Sequence, residues 1–156
     1  MEDLEAPVSF LLSQAQHRVT RRLEPLFAAH DCSLERWHVL CGLALNGAQR
    51  GHPMSDVATF AALPAPSATK LVDGMVADNL VYRRADVHDR RRVLVFLTPR
   101  GRALHRRLTL AVQDEEQRLT GPALSAEDGE ALAALLTRLV ASLDGGHRPD
   151  RVPGSV

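Results

Sequence analysis

The sequence DVHDRRRVLVFLTPRG, residues 86–101, contains the pattern that decides the fold. Its part at 92–98 has the character of a β-strand, and a similar run at 80–84 precedes the charged segment. The two runs predict a β-hairpin with a cationic tip. Thr98 and Pro99 then suit the N-cap and the first residue of a helix, so a helix should follow the hairpin at once.

A helix-turn-helix is predicted directly before the hairpin. Ser55 is the predicted N-cap of a short helix that ends near Ala62, and Leu-Pro-Ala-Pro at 63–66 forms a tight turn. Ser67 then opens a second helix, and Asn79 ends it as a left-handed residue. Two helices, a tight turn and a charged hairpin together predict a winged helix-turn-helix.

Amphipathic helices are predicted on the N-terminal side of this module. The first covers about 7–29, where apolar residues recur at helical spacing, and the second starts after the N-cap Ser33. Asn46 and Gly47 end the second helix, and residues 47–53 are predicted to form a loop.

Two further helices are predicted between residues 99 and 143. Pro122 ends the first of them, and Ser125 with Asp128 resembles a capping box at the start of the second. Residues 145–156 are expected to be a disordered tail. We therefore expect one domain over residues 1–144, mainly α with a small β-hairpin.

Charge is distributed unevenly along a neutral chain. The 156 residues contain 19 Lys and Arg and 19 Asp and Glu. Between Arg83 and Arg107, however, nine arginines stand against Asp86 and Asp89, which gives this segment a net charge of +7. Aromatic residues make up only 4%, which favours a helical core of Leu, Val and Ala. A neutral protein with one cationic stretch is typical of a protein that binds a polyanion through one face.

The sequence contains no motif that is typical of several other classes of protein. The two cysteines are too few for a disulfide framework, and we find no signal peptide and no run of ~20 apolar residues. We therefore expect a cytoplasmic protein that has no membrane partner. No P-loop, G-x-G-x-x-G, H-E-x-x-H or nucleophile elbow occurs, so we expect neither an enzyme nor a bound cofactor.

Three segments, in the right order, resemble the MarR family of multiple-antibiotic-resistance regulators. Residues 86–101 resemble the family's wing, which reads D-x-R-D-R-R, a strand and L-T-x-x-G, with every spacing intact. PSATKLVD at 66–73 and DNLV at 78–81 resemble the recognition helix and its exit. SLERWHVL at 33–40 resembles the family's L-T-x-x-Q-W-x-V-L.

The chain departs from the family pattern at several positions. His88 stands where the family usually has an arginine that reaches the minor groove, and Asn79 replaces a common glycine. Gly74 lies inside the recognition helix, which costs about 1 kcal/mol relative to Ala.

Apolar side chains also occupy strand positions that are usually polar in the family. If the hairpin tip lies near His88, Tyr82 should oppose Phe96 and Arg84 should oppose Leu94. Tyr82 and Phe96 would then form a cross-strand aromatic pair on the outer face of the hairpin. This pair either packs the wing better or is covered by the tail or a partner.

The resemblance implies a homodimeric regulator of transcription. It implies a winged helix-turn-helix over about 33–98, with dimerisation helices at about 7–29 and 99–143. A dimer of this kind binds double-stranded DNA at a palindromic operator, usually as a repressor that a small ligand relieves.

The recognition helix and the wing contain the expected DNA contacts. A helix N-terminus presents free N–H groups to phosphate, while Thr69 and Lys70 can meet a thymine methyl and a guanine. In the wing, we expect Asp89 to pair with and orient one guanidinium, and Arg90 to replace His88 in the minor groove. The expected DNA-binding residues are Ser55, Ser67, Thr69, Lys70, Arg84, His88, Asp89, Arg90, Arg91 and Arg92.

The resemblance implies a small-molecule site between the dimerisation helices and the DNA-binding lobe, and the candidate residues for it lie on the first two helices. Arg18 and Arg22 border an apolar stripe, and a cation beside an apolar wall suits the small anionic aromatic compounds that the family binds. The expected ligand-binding residues are His17, Arg18, Arg22, Trp37, His38 and Cys41. Alternatively, the two arginines form surface or dimer ion pairs, and Trp37 belongs to the core.

Other functions stay open at this point. Cys32 directly precedes a helix N-cap, where the helix dipole can lower the pKa of a thiol, so a thiol-responsive regulator is one alternative. A metal-responsive regulator is another, but His30, Cys32, His38 and His105 show no tight ligand spacing, and we assign no metal ligand. The remaining alternatives are a small-molecule enzyme and an interaction module whose wing binds an acidic protein.

Overall fold

The computed structural model describes residues 6–45 and 50–145. It is mainly helical with a small antiparallel sheet, which confirms the fold class expected from the sequence. In chain order, the elements are α1 (Val8–Ala28), α2 (Leu34–Leu45), β1 (His52–Pro53), α3 (Met54–Ala61), α4 (Ala65–Ala77), β2 (Val81–Ala85), β3 (Val93–Leu97), α5 (Pro99–Thr120) and α6 (Ala126–Gly145). Within the described ranges, no helix has both the length and the apolar character that crossing a bilayer requires.

The chain divides into two compact units, and the division falls after Glu115, inside α5. The first unit contains a core of apolar side chains from α1 to α5 and from the sheet. Each large side chain that is fully buried there contributes about 1.5–3 kcal/mol relative to an exposed one. The fully buried members of this core include Phe27, Leu40, Leu43, Val57, Met75, Leu97 and Leu108.

The sheet has three antiparallel strands in the order β1-β3-β2. Tyr82 pairs with Phe96 and Arg84 with Leu94, so the predicted hairpin register is confirmed. The prediction of a loop through residue 53 is wrong, because β1 pairs with the other edge of β3. Two residues that include a proline show no alternation of their own, and their extended form depends on pairing with a distant strand.

Prolines, rather than serines, precede the two helices of the helix-turn-helix. Pro53 is the N-cap of α3 and Pro64 is the N-cap of α4, and neither makes a side-chain capping bond. The predictions that Ser55 and Ser67 cap these helices are therefore wrong, since both lie inside the first turn. Pro66 lies at the second position of α4, where a helix leaves the backbone N–H unpaired in any case.

The end of α4 is fixed as the sequence predicts. Asn79 has a φ of 55°, and its backbone N–H donates to the Val76 carbonyl at 3.0 Å. The N–H of Leu80 donates to the Met75 carbonyl at 2.9 Å, which completes a Schellman motif. This motif turns the chain directly into β2.

The start of α5 is hydrogen-bonded to the end of α4. The Thr98 hydroxyl oxygen accepts from the Gly101 N–H at 2.9 Å, which confirms the predicted N-cap, and the hydroxyl donates to the Asn79 carbonyl at 2.7 Å. A Cβ on Gly101 would lie 2.0 Å from the Leu80 carbonyl oxygen, so only glycine allows this approach. The end of α4, the end of β3 and the start of α5 therefore meet at one point.

The second unit contains α6, which begins with the predicted capping box. The Asp128 N–H donates to the Ser125 hydroxyl at 3.1 Å, and the Ser125 N–H donates back to the Asp128 carboxylate at 3.1 Å. The Ser125 hydroxyl also donates to this carboxylate at 2.7 Å, and this bond, together with the one from the Ser125 N–H, holds the pKa of the Asp128 carboxyl below its ordinary value. The helix continues through Gly145, one residue into the predicted tail, and the predictions for 46–49 and 146–156 lie outside the described residues.

Candidate nucleic-acid interface

The N-terminal half of α4 separates a polar face from a buried one. Ser67, Thr69 and Lys70 are exposed, whereas Ala68 and Val72 are fully buried in the first unit. Packing of the buried face therefore presents the three predicted contact residues together at the surface. This is the arrangement that a recognition helix needs in order to meet the edges of bases.

The hydroxyl groups of this region differ in what they can offer to a phosphate. The Thr69 hydroxyl donates to the Ala65 carbonyl at 2.9 Å, and the Ser55 hydroxyl points to the Asp56 carboxylate at 3.3 Å. Ser67 makes no hydrogen bond through its side chain within 6–45 and 50–145. Ser67 and Lys70 are therefore the side chains of this turn that are free to donate to a phosphate oxygen.

An ion pair connects the hairpin to α4. Arg83 on β2 binds Asp73 on α4 at 2.6 Å, and both side chains are partly exposed. Exposed pairs contribute only about 0–1 kcal/mol, so this contact orients the two elements more than it stabilises them. The sequence analysis missed it, although the strand register alone places Arg83 and Arg84 on opposite faces of β2.

The two acids of the cationic segment stabilise the turn at the wing tip. The Asp86 carboxylate accepts from the His88 N–H at 2.9 Å, and the Asp89 carboxylate accepts from the Arg91 N–H at 3.0 Å. The prediction that Asp89 forms an ion pair with an arginine is wrong for the part of the chain that is described. Short aspartate side chains cap their own turns more readily than they reach a neighbouring guanidinium.

The charge at the tip is consequently left facing solvent. Arg84, His88, Arg90, Arg91 and Arg92 are all exposed. With the nearby acids bonded to backbone N–H groups, adjacent guanidinium groups repel each other unless an anion lies between them. A row of phosphates, or the narrow minor groove with its strong negative potential, supplies such an anion.

Phe96 forms the base of an aromatic stack on the wing. The Tyr82 ring lies parallel to it at 5.1 Å between centroids, and the Arg84 guanidinium carbon lies 4.5 Å from its centre. The predicted Tyr82–Phe96 pair is confirmed, but only Tyr82 is exposed. Gly51 packs so closely on the Phe96 ring that a Cβ there would lie 2.3 Å from it, which helps to explain why Phe96 is 4% exposed.

The residues expected to bind a small ligand lie on two helices in different surroundings. His17, Arg18 and Arg22 are exposed on α1. Trp37 on α2 is half-buried and packs between the rings of Phe27, at 6.0 Å, and His105, at 5.5 Å. This packing favours the alternative that Trp37 belongs to the core.

His38 and Cys41 are half-buried on α2, and burial lowers the pKa of the His38 imidazole. For Cys32, burial raises the pKa of the thiol despite the nearby Arg36 guanidinium. The alternative of a lowered pKa at Cys32 is therefore not supported, because desolvation of the thiolate outweighs the Arg36 charge. No three His, Cys, Asp or Glu side chains of the described ranges are grouped as metal ligands.

The chain is similar in sequence and fold to known proteins of one family. A sequence model of the MarR family matches residues 30–92. The homoprotocatechuate degradative operon repressor of Escherichia coli is 26% identical over 147 residues, which cover 94% of this chain and 95% of that repressor.

Two solved structures extend the comparison to DNA and to a ligand. The chain is similar to Staphylococcus aureus MepR in its DNA complex, with 27% identity, a TM-score of 0.69 and coverage of 90% of this chain and 99% of that one. It is also similar to Bordetella bronchiseptica BpsR, whose DNA binding is regulated by 6-hydroxynicotinic acid. That match has 26% identity, a TM-score of 0.68 and coverage of 85% and 98%.

Proposed function

This chain belongs to the MarR family of transcription regulators, and we propose that it is a homodimeric repressor that releases a palindromic operator when a small ligand binds. As a member of this family it is a DNA-binding regulator and not an enzyme. The proposal concerns its assembly, its operator, its ligand and the residues that make each contact. We assign residues 1–144 to a single functional domain.

The observation that carries the proposal is the exposed cationic surface of α4 and the wing. Ser67 and Lys70 offer donors at the N-terminal turn of α4, while Arg84 and Arg90 extend the surface along the hairpin. Donors at a helix N-terminus and guanidinium groups on a hairpin fit two neighbouring grooves of one duplex. We propose that Lys70 and Thr69 read bases and that Ser67 contacts a phosphate, and that Ser55 contacts one when its hydroxyl turns away from Asp56.

The other members of the predicted set belong to the wing. We propose that Arg90 enters the minor groove and that Arg84, Arg91 and Arg92 contact phosphates, with His88 beside them. Asp89 contributes by holding the turn, since its carboxylate accepts the Arg91 N–H.

Exposed apolar side chains support the proposed homodimer. On α1, Val8 is 68% exposed and Phe10 is 55% exposed, and on α6, Leu143 is 67% exposed. Apolar stripes of this size on helices are buried in a stable assembly, and a second copy of the chain offers the same stripes. A two-fold dimer would place two recognition helices about 34 Å apart, which matches one turn of DNA and a palindromic operator.

The proposed ligand is a small aromatic carboxylate. The name of the E. coli relative refers to homoprotocatechuate, the DNA binding of BpsR is regulated by 6-hydroxynicotinic acid, and both compounds combine an aromatic ring with a carboxylate. The sequence-predicted residues for such a ligand are His17, Arg18, Arg22, Trp37, His38 and Cys41. A repressor of this kind works on the genome, so we also propose a cytoplasmic location.

Selection of duplexes from a random library tests the operator directly. The proposal predicts an inverted repeat whose half-site centres lie about 10 base pairs apart, because the two recognition helices are related by a two-fold axis. Sedimentation of the complex should show two chains per selected duplex. An unrelated collection of sequences, or an asymmetric motif bound by one chain, would contradict the proposal.

A further inference from the structure

Helix α4 contains one acid and one base, and both are exposed. Asp73 is the acid, and Lys70, three residues earlier, is the base. Side chains three residues apart on a helix are neighbours, so a carboxylate and an ammonium group at this spacing attract each other. A free carboxylate here would oppose DNA binding, because it would draw Lys70 away from a base and would repel the phosphates.

The carboxylate of Asp73 is bound by the hairpin instead of by Lys70. It accepts a hydrogen bond from the Arg83 guanidinium at 2.6 Å. Within residues 6–45 and 50–145, Lys70 forms no ion pair. A guanidinium is the better partner for a carboxylate, since it is planar and offers two parallel donors. The ammonium group of Lys70 is therefore left free at the surface of the recognition helix.

The register of the sheet directs Arg83 toward α4. Arg83 pairs with Val95 of β3, which is fully buried, so the two side chains lie on the inner face of the hairpin. Arg84, the next residue, lies on the outer face, where it stacks on Phe96. The two adjacent arginines of β2 therefore have different surroundings, and only the first of them reaches the acid of the recognition helix.

The ion pair matters for charge more than for stability. Its two side chains are 31% and 58% exposed, and exposed pairs stabilise a fold only weakly. While the pair is formed, the charge of Asp73 is compensated at the surface that meets DNA. Without Arg83, the same surface would present an uncompensated carboxylate one turn from Lys70.

We propose that Arg83 is a positioning residue for DNA recognition: by binding Asp73, it keeps the one carboxylate of α4 away from Lys70 and from the DNA phosphates. This inference rests on the proposed DNA contact of Lys70, and it assigns a role to an arginine outside the expected set of DNA-binding residues. It predicts that the effect of losing Arg83 depends on the presence of Asp73.

Operator affinity of charge-matched variants tests this dependence. Arg83→Ala should lower the affinity about fivefold or more, because the uncompensated carboxylate repels phosphate and pairs with Lys70. Addition of Asp73→Asn should recover most of this loss, although it removes the second member of the ion pair. An ion pair that only held the hairpin against α4 would be broken equally in both variants, and the second substitution would then recover nothing.

The control removes one negative charge elsewhere in the chain, since any added positive charge raises the affinity for DNA. Asp114 is an exposed acid of α5, so Arg83→Ala/Asp114→Asn has the same net charge as Arg83→Ala/Asp73→Asn but keeps the carboxylate on α4. We expect it to bind the operator no more than about twofold better than Arg83→Ala. Equal recovery in the two double variants, or no recovery in either, would overturn the inference.

The cost of Lys70→Ala in three backgrounds tests the role of Lys70. In the wild type it should be about tenfold, as for a side chain that reads a base. In the Arg83→Ala background it should be at least about twofold smaller, because Lys70 must first leave Asp73. In the Arg83→Ala/Asp73→Asn background the full cost should return. The same cost in all three backgrounds would overturn the statement that Arg83 keeps Asp73 away from Lys70.

A test without DNA is possible because Lys70 is the single lysine of the chain. Full-length protein labelled with 13C-lysine gives one set of lysine side-chain signals in a nuclear magnetic resonance spectrum. Arg83→Ala should move the ε-methylene signal, and Asp73→Asn should then return it toward its wild-type position, whereas Asp114→Asn should not. A signal that does not respond to Asp73→Asn in the Arg83→Ala background would overturn the inference. This result is independent of the operator, which the duplex selection tests separately.

Discussion

The guanidinium carbon of Arg84 lies 4.5 Å from the centre of the Phe96 ring. Tyr82 on one side and Gly51 on another hold this ring in place. A long arginine side chain usually loses conformational freedom when it binds a phosphate. Stacking on a fixed ring restricts Arg84 before DNA arrives, so part of that cost is removed.

Replacement of Phe96 by leucine should therefore weaken operator binding through Arg84. A cation–π contact at an exposed site contributes about 0.5–1 kcal/mol, so Phe96→Leu should lower the affinity about two- to fivefold. In an Arg84→Ala background the same substitution should have no further effect. Anisotropy titrations of the four proteins form a double-mutant cycle. Independent, additive losses would show that Phe96 acts only on the stability of the wing.

At the wing tip, Arg90→Ala should cost more operator affinity than His88→Ala near pH 7.5. A guanidinium keeps its charge at any pH of the assay and reaches further than an imidazole. His88→Arg should tighten binding and steepen the dependence on salt by about 0.9 in the log–log slope for each added phosphate contact. A dimer should show about twice that change. If Arg90→Ala changes neither affinity nor slope and His88→Ala causes a large loss, the histidine itself enters the groove.

Acid should weaken the first unit through its half-buried histidines. Burial lowers the pKa of His38 and His105 in the folded state, and the Arg106 charge adds to the effect at His105. The unfolded chain then takes up protons first, so the unfolding free energy is highest above pH ~6.5 and falls as the pH drops below it. His38→Gln/His105→Gln should flatten this slope between about pH 7 and pH 5.5.

The single tryptophan, Trp37, stacks on His105 and offers a fluorescence signal for denaturant unfolding at each pH. Protein concentration should be held constant, because the proposed dimer makes the apparent stability depend on it. If the unfolding free energy of His38→Gln/His105→Gln depends on pH as steeply as that of the wild type between about pH 7 and pH 5.5, the two histidines do not cause the loss of stability in acid.

Charged substitutions on the apolar face of α6 should dissociate the dimer. Leu135 and Val140 are 57% and 58% exposed, and Leu135→Glu/Val140→Glu would bury two carboxylates in the proposed interface. Ala134→Glu/Ala141→Glu adds the same charge on the opposite face of the helix and should leave the dimer intact. Sedimentation at micromolar concentration distinguishes the two. A wild-type protein that sediments as a monomer would contradict the two-fold assembly.

Local patterns in the sequence predicted the elements whose causes are local. The register of Tyr82 against Phe96 follows from strand alternation and the position of the tip. Caps such as Thr98 and the left-handed Asn79 were predicted because each acts on backbone groups a few residues away. The helix starts predicted at Ser55 and Ser67 are wrong, because a proline before each helix fixes the backbone at its N-cap instead.

Contacts between distant parts of the chain could not be predicted in this way. The ion pair between Arg36 and Asp78 joins residues 42 positions apart, and no spacing rule refers to it. The same is true of β1, which is extended because it pairs with β3. For this reason, the sequence indicated a cationic DNA-binding surface but not the contact between α2 and the end of α4.

The most direct test of the central claim is the affinity of the wild-type protein for its selected operator relative to a scrambled duplex of equal length. Anisotropy competition at physiological salt gives both values. Because base contacts from α4 add to phosphate contacts from the wing, we predict an affinity for the operator at least about 1,000-fold higher than for the scrambled duplex. Equal affinities within about tenfold, or no binding to either duplex, would contradict the account of this chain as a sequence-specific regulator.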